Sequence, residues 1–192
     1  MTDYARRAAD TFAAIAENFR ALDAHAATVA AMAEAVVAAL SRGNTVFFCG
    51  NGGSAADSQH LAAELLGRYR IDRAPLPAVA LTVDTSALTA IGNDFGFDDV
   101  FARQLRGLGK RGDVLVAITT SGNSPNVMKA VEAAREMGVT VLGFTGGAGG
   151  KLKEASDIAL VVPATRTDRI QEMHIACGHL VCELVEEALA DR

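Results

Sequence analysis

Apolar residues at helical spacing occupy most of the first forty positions of the chain. Between Tyr4 and Ser41 the larger ones are Phe12, Ile15, Phe19, Leu22, Val29, Met32, Val36, Val37 and Leu40. A recurrence every three or four residues is typical of an amphipathic helix, so this stretch predicts two long helices before any strand. A similar pattern from Asp168 to about Leu189 predicts one more long helix.

Short β-branched runs alternate with stretches of helix length through the rest of the chain. Five runs are predicted as strands buried on both faces: Thr45–Cys49, Ala78–Val83, Val114–Thr119, Val139–Thr145 and Ile158–Val162. Continuous apolar strands separated by helices are typical of a parallel sheet covered by helices on both sides. We therefore predict one α/β domain over residues 1–192, with a helical pair at 1–43 and an α/β core with the C-terminal helix at 44–192.

The composition narrows the class of protein further. The chain has 192 residues, of which 50% are hydrophobic and 21% charged, so a disordered chain is excluded. A net charge of −5 disfavours nonspecific binding of nucleic acid. No apolar run approaches the roughly 20 residues of a membrane span, and the N-terminus lacks the apolar core of a signal peptide. We expect a cytoplasmic protein with neither nucleic acid nor membrane as partner, and buried thiols at Cys49, Cys177 and Cys182.

Two loops at predicted strand ends carry unusual chemistry. The loop Gly50–Ser54 is rich in glycine and opens a helix, with Ser54 placed to cap it and Asp57 three residues later. The loop Thr119–Pro125 places several hydroxyl groups before a helix that Ser124 would cap and Pro125 would begin. Ligands of open α/β folds bind beyond the carboxyl ends of strands, and hydroxyls with free N–H groups at a helix N-terminus can hold a monophosphate.

Two other interpretations of these loops compete with a phosphate site. Hydroxyl clusters are often only local caps, although the density and position here favour phosphate. The pattern Gly50-x-Gly52-x-x-Ala55 fits a loose dinucleotide fingerprint with Asp84 as its acidic residue. That residue should follow about 20 positions on, however, and Asp84 lies 29 beyond Ala55, so the dinucleotide interpretation ranks low.

Two helices carry the candidate reactive groups. His60 and Glu64 lie at i and i+4 of a helix predicted over Ser54–Arg70, so they share one face, which could equally be an exposed polar stripe. The last helix carries Asp168, Gln171, His174 and His179. Gln171 and His179 are about 12 Å apart along an ideal helix and could reach one ion only with extended side chains. Otherwise they serve different sites, or a helix of another subunit meets His60 and Glu64. From the spacing of these residues alone, a metal site is only one possibility.

Taken together, five motifs resemble those of the phosphoheptose isomerase family across nearly the whole chain. They are Cys49-Gly-Asn-Gly-Gly-Ser54, His60-Leu-Ala-Ala-Glu64, Gly92-Asn-Asp-Phe-Gly-Phe97, Thr120-Ser-Gly-Asn-Ser124 and Arg169-Ile-Gln-Glu-Met-His174 with His179. The resemblance implies a three-layer, flavodoxin-like sugar-isomerase fold. It also implies interconversion of sedoheptulose 7-phosphate and D-glycero-D-manno-heptose 7-phosphate for bacterial surface polysaccharide, by a homotetramer with active sites at subunit interfaces.

The resemblance also implies roles for individual residues. The implied substrate contacts are Asn51, Gly52, Gly53, Glu64, Asn93, Asp94, Thr119, Thr120, Ser121, Ser124, Asp168 and Gln171. The implied ligands of one divalent ion per subunit, expected to be zinc, are His60, Glu64, Gln171 and His179. Two departures are Thr119, where the family often has Ser, and Ala55, where some members have His. Any role of that histidine in other family members cannot be carried over to Ala55.

The reaction itself assigns the catalytic pair. Moving a carbonyl between C2 and C1 requires a base that reaches both carbons through an enediolate, and Glu64 is the expected base with His179 as the opposite acid or base. If Glu64 also binds the ion, it cannot be tightly chelated throughout turnover.

Two other functions share this fold. The replication-initiator-associating adaptor is noncatalytic and lacks the glutamate and the final histidine, both of which this chain has. A sugar-phosphate-sensing regulator would need a separate DNA-binding module, for which a first strand near Thr45 leaves no room.

Overall fold

A computed structural model of the protein describes residues 3–190. In chain order, its helices and strands are α1 Asp3–Arg20, a 3₁₀ turn at Ala21–His25, α2 Ala26–Ser41, β1 Val46–Gly50, α3 Gly53–Leu66, β2 Ala78–Ala80, α4 Thr85–Phe95, a 3₁₀ turn at Phe97–Asp99, α5 Val100–Leu108, β3 Val114–Ile118, α6 Pro125–Met137, β4 Thr140–Gly146, α7 Gly150–Ala155, β5 Ile158–Val162 and α8 Thr167–Leu189. The predicted α/β fold with a parallel sheet between helices is confirmed.

The five strands form one parallel sheet in the order β2-β1-β3-β4-β5. The chain moves from β1 outward to β2, then returns to pair β3 on the other side of β1. The carboxyl ends of β1 and β3, where Gly50 pairs with Ile118, are therefore the topological switch point, the usual position of a ligand in such sheets. Both loops singled out in the sequence begin here.

Apolar side chains bury both faces of the sheet, as the unbroken apolar strands predict. On one face, Phe48 belongs to a cluster with residues of α2, α3 and α8, and on the other Phe47 packs with residues of α5, α6 and α7. Alternate residues of β1 thus point to opposite layers. All three cysteines are free and buried, as predicted.

Two predicted element boundaries are wrong. Strand β2 ends at Ala80 and not at Val83, since the chain turns away after Leu81 and Asp84 caps α4 by accepting a hydrogen bond from the backbone N–H of Ala87. Helix α3 ends at Leu66 rather than Arg70, because Gly67 begins an irregular segment that crosses toward α8.

The two N-terminal helices differ sharply in their surroundings. Helix α2 packs in the core and buries Val29, Met32 and Val36. Helix α1 buries no residue, and its Phe12 side chain is 70% exposed. By length and composition alone, the stretch Asp3–Ser41 could cross a membrane, but core helices of soluble proteins meet the same criteria and the buried face of α2 is that of a core helix.

Candidate active site

The hydroxyl-rich loop after β3 forms a compact cluster at the N-terminus of α6. The Oγ1 atom of Thr119 lies 2.8 Å from Ser124 Oγ and 3.4 Å from Ser121 Oγ. Helix α6 begins at Pro125 with Ser124 in the N-cap position, as predicted, but the Ser124 hydroxyl bonds Thr119 and makes no cap hydrogen bond. The half-buried Thr120 completes the loop. Hydroxyls beside the positive end of a helix are suited to an anion.

The glycine-rich loop after β1 lies beside this cluster and is joined to it by an amide pair. Asn51 and Asn126 exchange two hydrogen bonds of 2.8 Å, each donating its Nδ2 to the other's Oδ1. Asn126 is buried on the first turn of α6. Asn126 could not be predicted as a partner of this loop, because a single asparagine after a helix start gives no signal of a contact 75 residues away.

The predicted serine cap of α3 is wrong. Gly52 takes the N-cap position with a φ of 57° that favours glycine, and the helix begins at Gly53. Ser54 lies inside the first turn, where its carbonyl accepts a hydrogen bond from the Ser58 hydroxyl. Asp57 is buried and its Oδ2 has no hydrogen-bond partner among the described residues. Burial raises the pKa of Asp57 to about 6, against the opposing effect of His60.

His60, Glu64 and His179 converge where α3 and α8 run side by side. The Nε2 atom of His60 lies 2.8 Å from His179 Nε2 and 3.3 Å from Glu64 Oε1. All three ligand atoms lie within 4.8 Å of one another, so these residues could hold a metal ion. Within one chain, the terminal helix therefore brings His179 to His60 and Glu64.

Close packing of two helices produces this convergence. Gly178 faces Leu61, and a Cβ atom added to Gly178 would lie 2.6 Å from Leu61 Cδ1. A larger residue at this position would force either the buried Leu61 side chain or the two helices to shift. Nearer the sheet, the Gln171 amide packs directly on the Gly53 backbone. Gln171 therefore lies at the start of α3, whereas His179 lies opposite its middle.

The three remaining predicted substrate contacts are exposed. Asn93 and Asp94 lie in the last turn of α4, where Asn93 Nδ2 donates to Asp94 Oδ1. Asp168, at the start of α8, accepts hydrogen bonds from Arg166 and Arg169. Desolvation acts to raise the pKa of Asp168, but these arginine hydrogen bonds outweigh it and the pKa is lowered. Within residues 3–190, no hydrogen bond or ion pair joins these three to the His60 cluster.

His174 belongs to the core, which is the ordinary reading of a histidine among apolar neighbours. It is 1% exposed, its Nε2 lies 3.1 Å from the Thr145 carbonyl oxygen, and its ring meets Phe144 edge to face. Burial lowers the pKa of His174 to about 4, so the ring is neutral and donates through Nε2.

The donor set of the convergent cluster fits a divalent metal. Two imidazole nitrogens and a carboxylate oxygen are a common ligand set of catalytic zinc, in which a further position is left for water or substrate. The Nε2 atoms of the two histidines lie close enough to face one ion together with Glu64. The residues present therefore suit a first-row divalent ion.

Comparison with known proteins assigns the class. Residues 9–146 match the SIS domain family. The chain is 60% identical over 174 residues to the phosphoheptose isomerase of Rhodospirillum rubrum, covering 91% of this chain and 93% of that protein. It is 53% identical over 189 residues to that of Akkermansia muciniphila, covering 98% of both. The structure of phosphoheptose isomerase GmhA from Neisseria gonorrhoeae superposes with a TM-score of 0.91 at 46% identity, covering 96% of this chain and 99% of that chain.

The sheet, its switch-point loops and these matches define an SIS-domain protein of the isomerase class. Within that class, the chain belongs to the phosphoheptose isomerase family. The resemblance seen in the sequence motifs is thereby confirmed.

Proposed function

We propose that this protein interconverts sedoheptulose 7-phosphate and D-glycero-D-manno-heptose 7-phosphate in the cytoplasm, within one sugar-isomerase domain. The relatives' shared activity supports the reaction class. The observation that carries the proposal in this chain is the convergence of Glu64 with His60 and His179, in a fold that also carries a hydroxyl cluster at its switch point. The noncatalytic adaptor receives no support, because the chain has both residues that the adaptor lacks.

Phosphate binding is assigned to Thr119, Thr120, Ser121 and Ser124. The three clustered hydroxyls and the N-terminus of α6 supply donors for phosphate oxygens without a lysine. Asn51, Gly52 and Gly53 would line the sugar from the neighbouring loop, which the Asn51–Asn126 amide pair holds against α6. We further assign Asn93, Asp94 and Asp168 to sugar hydroxyls.

Proton transfer between carbons is assigned to Glu64. In the direction of aldose formation, the base removes a proton from C1 of the ketose, the electron pair forms the enediolate, and the same proton or a solvent proton is delivered to C2. A carboxylate reaching both carbons can perform both steps. Glu64 is half-buried and faces His60 and His179, so its position beside an imidazole is suited to this role.

His179 is the proposed second acid or base. Its imidazole lies across the cluster from Glu64, where it can exchange protons with the oxygens at C1 and C2 or open the sugar ring. The Tyr69 ring packs on it with a centroid distance of 5.8 Å, which restricts its orientation.

We assign one zinc ion per subunit to His60, Glu64, Gln171 and His179. The convergence of the side chains of His60, Glu64 and His179 supports these three as ligands. The Gln171 amide packs on Gly53 of the glycine-rich loop, where it would bind the ion or the substrate. When bound, the ion would act as a Lewis acid on the carbonyl and stabilise the oxyanion.

We also propose a homotetramer with active sites at subunit interfaces. Helix α1 supports this assignment, since none of its residues is buried and it exposes Tyr4, Phe12 and Phe19. Exposed apolar faces of this kind mark protein contacts. Light scattering of the purified protein should give four times the monomer mass, and the Phe12→Glu variant should be smaller.

The experiment that tests the activity is direct. The protein is incubated with sedoheptulose 7-phosphate in deuterated water, and the products are resolved by NMR. An aldose 7-phosphate carrying some deuterium at C2 supports an enediolate route through the proposed base. A folded protein that forms no aldose contradicts the proposed function.

A further inference from the structure

A buried ion pair joins the irregular segment after α3 to helix α8. The Nε atom of Arg73 lies 3.1 Å from Glu186 Oε1, and each side chain is 1% exposed. Burying two charges is costly unless further hydrogen bonds satisfy both groups. The remaining contacts of the two side chains therefore show which parts of the fold the pair holds.

Arg73 holds the last turn of α3. Its Nη2 donates to the backbone carbonyl of Glu64 at 2.9 Å, and its Nη1 donates to the carbonyl of Leu65 at 2.9 Å. Carbonyls in the last turn of a helix lack partners within the helix and favour a cation. The guanidinium group thus fixes the backbone of the proposed catalytic base itself.

Glu186 holds the segment that follows. Its carboxylate accepts hydrogen bonds from the backbone N–H groups of Tyr69, Arg70 and Ile71, at 2.8, 2.6 and 2.9 Å respectively. Burial acts to raise the pKa of Glu186, but these three donors and Arg73 outweigh it, so the pKa is lowered and the group is charged. Glu186 follows His179 by seven residues on α8, and two turns place both on the same face.

We propose that Arg73 and Glu186 are positioning residues that set the distance between Glu64 on α3 and His179 on α8. The inference rests on the roles proposed above for Glu64 and His179. Arg73 acts through the peptide carbonyl of Glu64, and Glu186 acts through the segment whose Tyr69 ring packs on His179. A misplacement of about 1 Å in a catalytic group can lower a rate about 100-fold, so a small slip of α3 against α8 would be costly.

A second ion pair joins the same two parts but cannot serve the same purpose. Arg70 pairs with Glu183, yet the Arg70 side chain is 67% exposed. Exposed pairs are screened by solvent and contribute little to holding a fixed geometry. The buried pair is the one that determines the spacing.

The test compares Glu186→Gln and Arg73→Lys with the parent protein, measuring kcat, KM and zinc content after dialysis. The folded fraction is determined by circular dichroism at the assay temperature. We expect kcat per folded molecule to fall about 10- to 100-fold, with KM changed less than about threefold because the phosphate loop lies on other elements. Zinc should be lost faster than from the parent. A purely structural role would lower the melting temperature and leave kcat of the folded fraction unchanged.

The matched control is Arg106→Met, which removes an exposed ion pair with Glu136 away from the site and should leave kcat unchanged. If Glu186→Gln fails to fold, Glu186→Asp takes its place, since it keeps the charge and withdraws the carboxylate by one methylene. A folded variant with parent-like kcat and zinc retention overturns the proposal. The kcat of Glu64→Gln is measured in the same assay. If that variant is active, the proposed role of Glu64 as base is wrong, and this result is distinct from a failure of the Arg73–Glu186 proposal.

Discussion

The Nε2 atoms of His60 and His179 lie 2.8 Å apart, although 119 residues separate the two histidines along the chain. At this distance the two imidazoles share one hydrogen bond. A divalent ion coordinated by both nitrogens would replace that hydrogen bond. The two histidines would then serve as ligands, with Glu64 as a third.

Replacing His179 with alanine should abolish activity and weaken retention of the metal. The substitution removes the proposed acid or base, which is also one of the three convergent ligands. Residue 179 is half-buried, so we expect the fold to tolerate the smaller side chain. Elemental analysis of the dialysed protein measures retained zinc, and turnover of sedoheptulose 7-phosphate measures activity. His25→Ala, on the 3₁₀ turn before α2, is the matched control and should keep both. Parent-like zinc content in His179→Ala would remove this residue from the ligand set.

The Glu64→Gln substitution separates binding from proton transfer. Glutamine keeps the shape of the side chain but cannot accept a proton from carbon, so kcat should fall about 100- to 10,000-fold. The fold and the binding of sugar phosphate should be largely intact, because the phosphate loop lies on β3 and α6. Steady-state kinetics together with calorimetric titration of the substrate check both expectations. Near-normal turnover would refute the assigned base.

Replacing Ser121 and Ser124 with alanine should raise KM strongly. The double variant removes two of the three clustered hydroxyls and leaves Thr119 without its 2.8 Å partner. Each lost hydrogen bond to a charged phosphate should cost about 1.5–3 kcal/mol of binding. Thr140→Val, at the opposite end of the sheet on β4, removes a hydroxyl outside the loop and serves as the control. An unchanged KM would place the phosphate elsewhere.

The sequence was sufficient to predict the fold and the position of two polar loops at the switch point of its sheet. Continuous apolar strands between helices define the parallel sheet, and the two loops that follow β1 and β3 mark the switch point without any alignment. The i, i+4 pair His60 and Glu64 likewise follows from helix geometry. These features are local, and each can be recognised within a short window of residues.

Long-range contacts could not be predicted in the same way. Nothing near Asn51 indicates that its amide pairs with Asn126, and nothing near Arg73 indicates a buried partner at Glu186. The N-cap residue of α3 is Gly52 and not the predicted Ser54, because the backbone at this position has a positive φ that favours glycine. Such details depend on how helices pack across the sheet, which a single sequence leaves open.

The buried His174 predicts a measurable dependence of stability on pH. Burial lowers its pKa to about 4 in the folded protein, below the 6.5 of an ordinary histidine. Between these two values the unfolded chain binds more protons at this residue than the folded one, so its contribution to the free energy of unfolding falls as the pH drops from 6.5 toward 4. Over that range the expected loss is about 3 kcal/mol.

Comparison with His174→Gln isolates this contribution from those of the other titratable groups. Glutamine can still donate to the Thr145 carbonyl but does not titrate, so the stability difference between parent and variant should shift against the parent as the pH falls. Urea unfolding at pH 7, 6, 5 and 4 measures that difference. A stability difference that stays constant over this range would mean that His174 binds its proton in the folded state as readily as in the unfolded chain. The prediction that the buried ring is neutral would then be wrong.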